Sequence, residues 1–219
     1  GVYNLFTAGT TPYADLFKEA NEDNCEIILA AKKVENDYKN QTIIEFCNAN
    51  DGGWSAFVPI QSLVDAYETS SGLTIEEAEK NGEYDPVHPY KNRDPRFYAT
   101  VLYSGADWVN PNGVYRIYNT LDRTIDGKPN KDNANDSRNA SQSGYTCCKY
   151  MSPLTQYSDI NNTGLDFIVF RYAEVLLSKA EALIELNRDL DEACNLMDEV
   201  RKRAGMPMVD RNKYSTQAT

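Results

Sequence analysis

The stretch that most constrains this chain lies near its C-terminus. Residues 167–187 (FIVFRYAEVLLSKAEALIELN) read as one helix, apolar around most of its circumference. Val169, Ala173, Leu176, Ala180 and Leu183 form one stripe, and Phe170, Leu177 and Ile184 form the adjacent one. So wide an apolar face needs more than one neighbour to cover it. After a tight connection bracketed by Asn187 and Asp189, residues 190–204 place Leu190, Ala193, Met197, Val200 and Ala204 on one face. Asp191, Glu192, Asp198, Glu199, Lys202 and Arg203 occupy the other. Gly205 supplies a left-handed C-terminal position and Pro207 blocks continuation. The spacing predicts an antiparallel helical hairpin in which Ala173, Leu177, Ala180 and Ile184 are buried.

That hairpin is similar to a tetratricopeptide-type unit, and one such unit cannot bury both of its own faces. Its partners must come from the loop-rich sequence upstream or from chain outside this stretch. Upstream, Thr11-Pro12 starts a helix over 12–20 that buries Leu16 and Phe17, and residues 26–30 read as a short strand. Gly52-Gly53 marks a turn before Trp54. Residues 59–71 fit a helix with Ile60, Leu63, Val64 and Tyr67 on one face, and Thr74 with Glu77 has capping-box spacing. Asp94-Pro95-Arg96 is a capped start, while Phe97 to Tyr103 is aromatic and β-branched enough to predict a strand. Residues 79–93 and 104–146 read as long loops, the second carrying seven Asn, with a disordered insertion over 126–143 as the lesser alternative.

Several chemistries are disfavoured at once. The 22 basic and 33 acidic residues leave a net charge of −11, with no basic cluster to neutralise phosphates, so no nucleic-acid partner is expected. The apolar run 167–186 is interrupted by Arg171, Glu174, Lys179, Glu181 and Glu185, so no membrane span is expected. His88 is the single histidine, which rules out a multi-histidine metal site, and no cofactor motif is present. The five cysteines include the adjacent pair Cys147-Cys148 but no redox or zinc spacing; they read as small packed thiols.

A set of motifs in fixed order carries a resemblance. Arg171-Tyr172-Ala173-Glu174-Val175-Leu176-Leu177, Ala180-Glu181-Ala182, and Val200-Arg201-Lys202-Arg203-Ala204-Gly205-Met206-Pro207 resemble the C-terminal signature of the SusD/RagB family. Asp94-Pro95-Arg96-Phe97-Tyr98-Ala99-Thr100-Val101 matches another element of that family. Gly52-Gly53-Trp54 with Pro59 and Leu63-Val64-Asp65-Ala66-Tyr67, and the Lys149-Tyr150 pair, fit as well. Family members are typically more than twice this length, so the chain resembles a middle-to-late portion. The resemblance implies a mainly α fold, with a tetratricopeptide-type hairpin beside an irregular region of short strands. The organisation expected is a loop-rich, ligand-facing region over 1–165, the hairpin over 166–206 and a polar tail over 207–219.

It also implies a function: a non-enzymatic nutrient-binding lipoprotein on the outer membrane of a Gram-negative bacterium. Such a protein captures oligosaccharides, sometimes peptides, for a SusC-like TonB-dependent transporter, and touches the membrane only through an N-terminal lipid anchor, which is expected to lie outside this stretch of chain. Sugars stack their C–H faces on aromatic rings while amides, carboxylates and hydroxyls bind their polar groups. Trp54 and Trp108 are the leading candidate platforms, followed by Tyr84, Tyr90 and Tyr118. Asp85, Asp94 and Asp107 could be imagined as a glycosidase pair, but no motif supports it. The alternative reading is a helical-repeat scaffold that binds peptides or proteins.

Overall fold

The computed structural model describes residues 1–34, 40–135, 138–151, 160–161 and 163–212. The fold is mainly helical, with short strands scattered between the helices. Part of the polar tail, residues 213–219, lies outside the described residues.

The C-terminal hairpin forms as α6 (Tyr172–Glu185) and α7 (Leu190–Arg203). Asn187 and Asp189 both take positive φ in the connection, and Gly205 (φ +80°) ends α7. The buried seam is Ala173, Leu176 and Ala180 against Ala193, Leu196 and Val200. Small residues on both sides let the two backbones approach closely. Ile184 is only half-buried, and Leu177, expected inside, is 43% exposed. It lines a cleft beside the hairpin together with Leu63, Ala66 and Val200 instead of entering the seam.

A second correction concerns the start of that helix. Residues 167–171 form strand β8 (Phe167–Arg171), antiparallel to β1 (Ile27–Ala31). Ile168 and Val169 are β-branched and favour extended backbone, and a partner strand was available in β1. Glu26, immediately before β1, has no exposed surface. Its carboxylate accepts the Phe6 backbone N–H (2.8 Å), Arg171 Nη1 (2.7 Å) and Arg203 Nη1. One buried carboxylate thus joins the N-terminal segment, the β8–α6 junction and the last turn of α7.

The upstream elements pack around aromatic rings. Helix α1 (Pro12–Asp15) is shorter than expected, yet Leu16 and Phe17 are buried with Phe6, Ile43, Tyr150 and Leu165. Ile43 belongs to α2 (Thr42–Phe46). Helix α3 spans only Gln61–Ala66, because Tyr67 leaves it with extended geometry. Val64 is buried, whereas Ile60 and Leu63 are exposed, contrary to the expected single apolar face. Helix α4 (Ile75–Lys80) carries the predicted capping box between Thr74 and Glu77.

Residues 95–100 form helix α5 (Pro95–Thr100), and only Val101–Leu102 become strand β2. The expectation of a strand over 97–103 therefore fails at Phe97–Thr100 and again at Tyr103. The Asp94 side chain accepts the Arg96 N–H and Pro95 presets the first helical φ, so local capping outweighs strand propensity. Strand β2 pairs with β7 (Thr146–Cys147). Phe97, Val101, Val64 and Tyr145 form the core here, flanked by Tyr67, Tyr90 and Tyr103.

Arg93 is fully buried without a carboxylate partner among the described residues. It donates to the carbonyls of Pro89 (2.9 Å), Val64 (2.6 Å) and Tyr67 (2.8 Å), and lies 5.1 Å from the Phe97 ring centroid. It fastens the 79–93 loop to the end of α3.

Two stability measurements follow. Leu176→Ala empties a closed seam and is expected to cost about 2–5 kcal/mol in urea denaturation, while Leu177→Ala should cost less than about 1 kcal/mol. Glu22 gives a pH signature. It accepts the Asp166 backbone N–H at 2.6 Å, and burial, with the nearby Asp166 carboxylate, pushes its carboxyl from 4.5 up to about 7. The folded state then holds this proton more tightly than the unfolded chain. The contribution is complete below about pH 4.5 and is lost as pH rises through about 7. Glu22→Gln keeps the acceptor and removes the charge; it should raise the melting temperature at about pH 8 and leave it unchanged at about pH 4.

Candidate functional site

The 104–146 loop is folded around a two-stranded hairpin. Strand β3 (Asp107–Val109) pairs with β4 (Tyr115–Ile117) in the register Asp107↔Ile117, Trp108↔Arg116 and Val109↔Tyr115. The turn between them is closed by Asn110, whose side-chain oxygen accepts the N–H groups of Asn112 and Val114 (3.0 and 2.8 Å). Gly113 provides the positive φ (+78°) that the turn needs.

Strand alternation separates two faces. Trp108 and Arg116 point inward. Trp108 Nε1 donates to Asp51 Oδ2 (2.8 Å), and Arg116 bonds Asn48 Oδ1 (2.6 Å), Asp51 Oδ1 (2.9 Å) and, at 3.4 Å, Asp132. Asn110 Nδ2 also donates to Asp51 (2.8 Å). Asp51 ends a helical turn over 49–51 that Asn48 caps, directly ahead of Gly52-Gly53-Trp54. Gly53 is required there: a Cβ would fall 2.1 Å from the Cys47 carbonyl oxygen.

The asparagines of this region are structural. Asn130 donates to the carbonyls of Asn119 and Asp122, and Asn133 to those of Thr120 and Leu121. Asn50 joins them by donating to Asn130 and Asp132. Around this network wrap two more short strands, β5 (Thr124–Ile125) and β6 (Lys128–Pro129). Burial pushes the Asp132 carboxyl above the usual carboxylate range, despite the donors from Asn50 and Arg116.

The five residues singled out from the sequence fall into different environments. Trp54 is 38% exposed, beside the anchored 48–53 turn. Tyr84 is half-buried on the 79–93 loop. Tyr90 is half-buried too, with its ring 4.1 Å from that of Tyr103 and its hydroxyl 3.0 Å from that of Tyr145. It serves the aromatic cluster. Trp108 (7% exposed) and Tyr118 (0%) are corrected from surface platforms to core residues packed with Leu102. With so little exposed surface, neither side chain offers an open platform for a sugar to stack on.

Tyr115 was missed. It is 60% exposed, on the outer face with Val109 and Ile117. The available signal was parity: counted from the Asn110–Gly113 turn, Tyr115 and Tyr118 fall on opposite faces of a strand. Its hydroxyl donates to Asp107 Oδ1 across the hairpin at 2.6 Å, and this bond pushes the phenol above its ordinary value. Beside β3 lies a hollow of about 240 Å³, lined by Asp107, Trp108 and Val109 together with Lys18, Tyr98 and Phe17.

A larger cleft, about 360 Å³, opens between α3 and the C-terminal hairpin. Its charged lining is mostly paired: Asp94 with Arg96, and Arg171 and Arg203 with Glu26 beneath. Among the described residues, no group of three or more His, Cys, Asp or Glu could hold a metal ion. Burial pushes the Cys147 thiol up to about 11 and Cys148 higher still, so both are protonated at neutral pH.

The family model of the SusD family matches residues 25–219. The chain belongs to the SusD family. Two solved SusD-like structures support this, both from Bacteroides fragilis. One, described as a SusD-like carbohydrate binding protein, is 28% identical with a TM-score of 0.75 over 95% of this chain and 39% of its own. The other, a SusD-like protein, is 25% identical with a TM-score of 0.70 over 96% of this chain and 42% of its own. A laminarin binding SusD-like protein shares the fold at 18% identity and a TM-score of 0.52, covering 95% of this chain and 40% of its own. This SusD-family chain therefore spans about two fifths of the length of the structures it matches. A comparison with curated proteins found no match.

Because Asp51 takes the Trp108, Asn110 and Arg116 donors at once, Asp51→Ala leaves the buried Trp108 indole N–H unpaired and Arg116 with only Asn48 and Asp132. The expected cost is about 3–5 kcal/mol by urea denaturation, with Asp51→Asn intermediate.

Proposed function

We propose that this SusD-family chain is the ligand-facing part of a cell-surface protein that captures oligosaccharides at the outer membrane and passes them to a SusC-like TonB-dependent transporter. The observation that carries this reading is the match, over 95% of the chain, to a SusD-like carbohydrate binding protein at 28% identity. The surface is suited to such a ligand. Trp54 and Tyr84 keep accessible ring surface, and they sit on loops fastened from beneath by Asp51 and Arg93 respectively. Loops held by a rigid scaffold are where binding residues are usually found.

The role is binding without cleavage. Each carboxylate that could be imagined in a glycosidase pair has its own partner: Asp85 with His88, Asp94 with Arg96 and Asp107 with Tyr115. No described helix is long and apolar enough to cross a membrane, which suits attachment to the membrane by other means.

A docked sugar exchanges bonds to water for bonds to protein, so each polar contact adds only about 0.5–1.5 kcal/mol. Two or three stacked rings then give dissociation constants on the order of micromolar to millimolar. Such affinity suits a protein that must release its cargo. Calorimetric titration against neutral oligosaccharides should give saturable binding in that range, weakened about tenfold by Trp54→Ala. Absence of binding across the panel, or release of reducing sugar by the pure protein, contradicts the reading. Co-purification of the tagged protein with an outer-membrane β-barrel from its native host tests the transporter partnership.

A further inference from the structure

The outer face of the β3–β4 hairpin is an unusual surface for two short strands. Val109, Tyr115 and Ile117 all point to solvent there, and Val114 in the turn is exposed beside them. A two-stranded ribbon normally covers such a face or makes it polar. Here the face is also rigid, since every anchor of the hairpin, from Trp108, Arg116 and Asn110 to Asp51, Asn48 and Asp132, lies on the opposite side.

The ring of Tyr115 is held in a particular way. Asp107 and Tyr115 are diagonal neighbours in the register, because Asp107 faces Ile117 and Tyr115 faces Val109. The 2.6 Å bond from the Tyr115 hydroxyl to Asp107 Oδ1 ties the ring along the hairpin. It fixes the rotamer of an exposed aromatic before any ligand arrives, which removes part of the ordering cost of binding. The second Asp107 oxygen has no hydrogen-bond partner among the described residues and remains an acceptor. Asp107 also borders the 240 Å³ hollow beside β3, where Tyr98 is exposed and Lys18 is paired with Asp15.

We propose that Tyr115 and Asp107 form a sugar subsite, in which a neutral hexopyranose lays its C–H face on the Tyr115 ring, donates a hydroxyl to the free oxygen of Asp107, and continues toward the hollow beside Tyr98. The proposal rests on the carbohydrate-binding reading above and assigns that reading a location and a substrate class. Val109 and Ile117 flank the ring and extend the apolar surface for the sugar's C–H groups. The unpaired carboxylate oxygen selects hydroxyl donors and repels carboxylated sugars, in a chain whose net charge is already −11.

The test is affinity electrophoresis of the chain in gels containing starch, laminarin, barley β-glucan or polygalacturonate, followed by titration with the retarding polymer. Wild-type protein should be retarded by at least one neutral polymer. Tyr115→Ala should weaken that binding about tenfold, the equivalent of one stacked ring, with an unchanged near-UV circular dichroism spectrum. Tyr115→Phe, which keeps the ring and loses only its tether, should lie between the two. Retention of full binding by Tyr115→Ala overturns the subsite and leaves the carbohydrate reading standing. A Tyr115→Phe variant as weak as Tyr115→Ala overturns stacking on the ring, and retardation by polygalacturonate alone overturns the neutral class. No retardation of wild-type protein in any polymer overturns the carbohydrate reading and the subsite together.

Discussion

Glu26 is the interaction on which the rest of the fold depends. A carboxylate with no solvent contact is costly unless its oxygens are fully employed. Here one oxygen receives Arg171, and the other receives Arg203 and the Phe6 amide. The backbone carbonyl of Glu26 also accepts the first N–H of α6, from Tyr172 (2.8 Å). Segments from both ends of the chain therefore converge on one side chain. Because these charges are geometrically demanding, they fix how the C-terminal hairpin seats on β1, which apolar contacts alone would leave free to slide.

Arg93 solves the related problem of a buried cation with a different set of partners. Three backbone carbonyls and an aromatic face replace the carboxylate. The carbonyls belong to the end of α3 and to the loop preceding Arg93, so the side chain ties the two irregular stretches of backbone together. None of these groups titrates, and the arrangement is insensitive to pH over the physiological range.

The helical hairpin was legible because Leu176, Ala180, Ala193 and Val200 recur at helical spacing, and because Gly205 and Pro207 punctuate the end. The capping box at Thr74 was legible for a similar reason: both of its partners lie within one turn. What could not be read were outcomes decided at long range. Residues 167–171 carry apolar side chains compatible with either a helix or a strand, and β1, more than a hundred residues earlier, decides between them. In α5 the cap formed by Asp94 and Pro95 prevails over four residues whose composition favours a strand. Among the aromatic residues, composition marked out the right region and the wrong members. Trp108 is drawn inward by Asp51, a partner 57 residues away, and with it the parity of the whole hairpin is set, so that Tyr118 is enclosed and Tyr115 is left outside.

The hairpin's one-sided anchoring has an evolutionary consequence. Folding instructions and surface chemistry alternate along the same six strand residues: Trp108 and Arg116 belong to the first, and Asp107, Val109, Tyr115 and Ile117 to the second. Substitutions in the outward set touch none of the bonds to Asp51, so they can accumulate at little thermodynamic penalty. A lineage that keeps the inward pair can therefore rewrite the exposed four, and so diversify what the surface meets, without having to refound the scaffold that presents it.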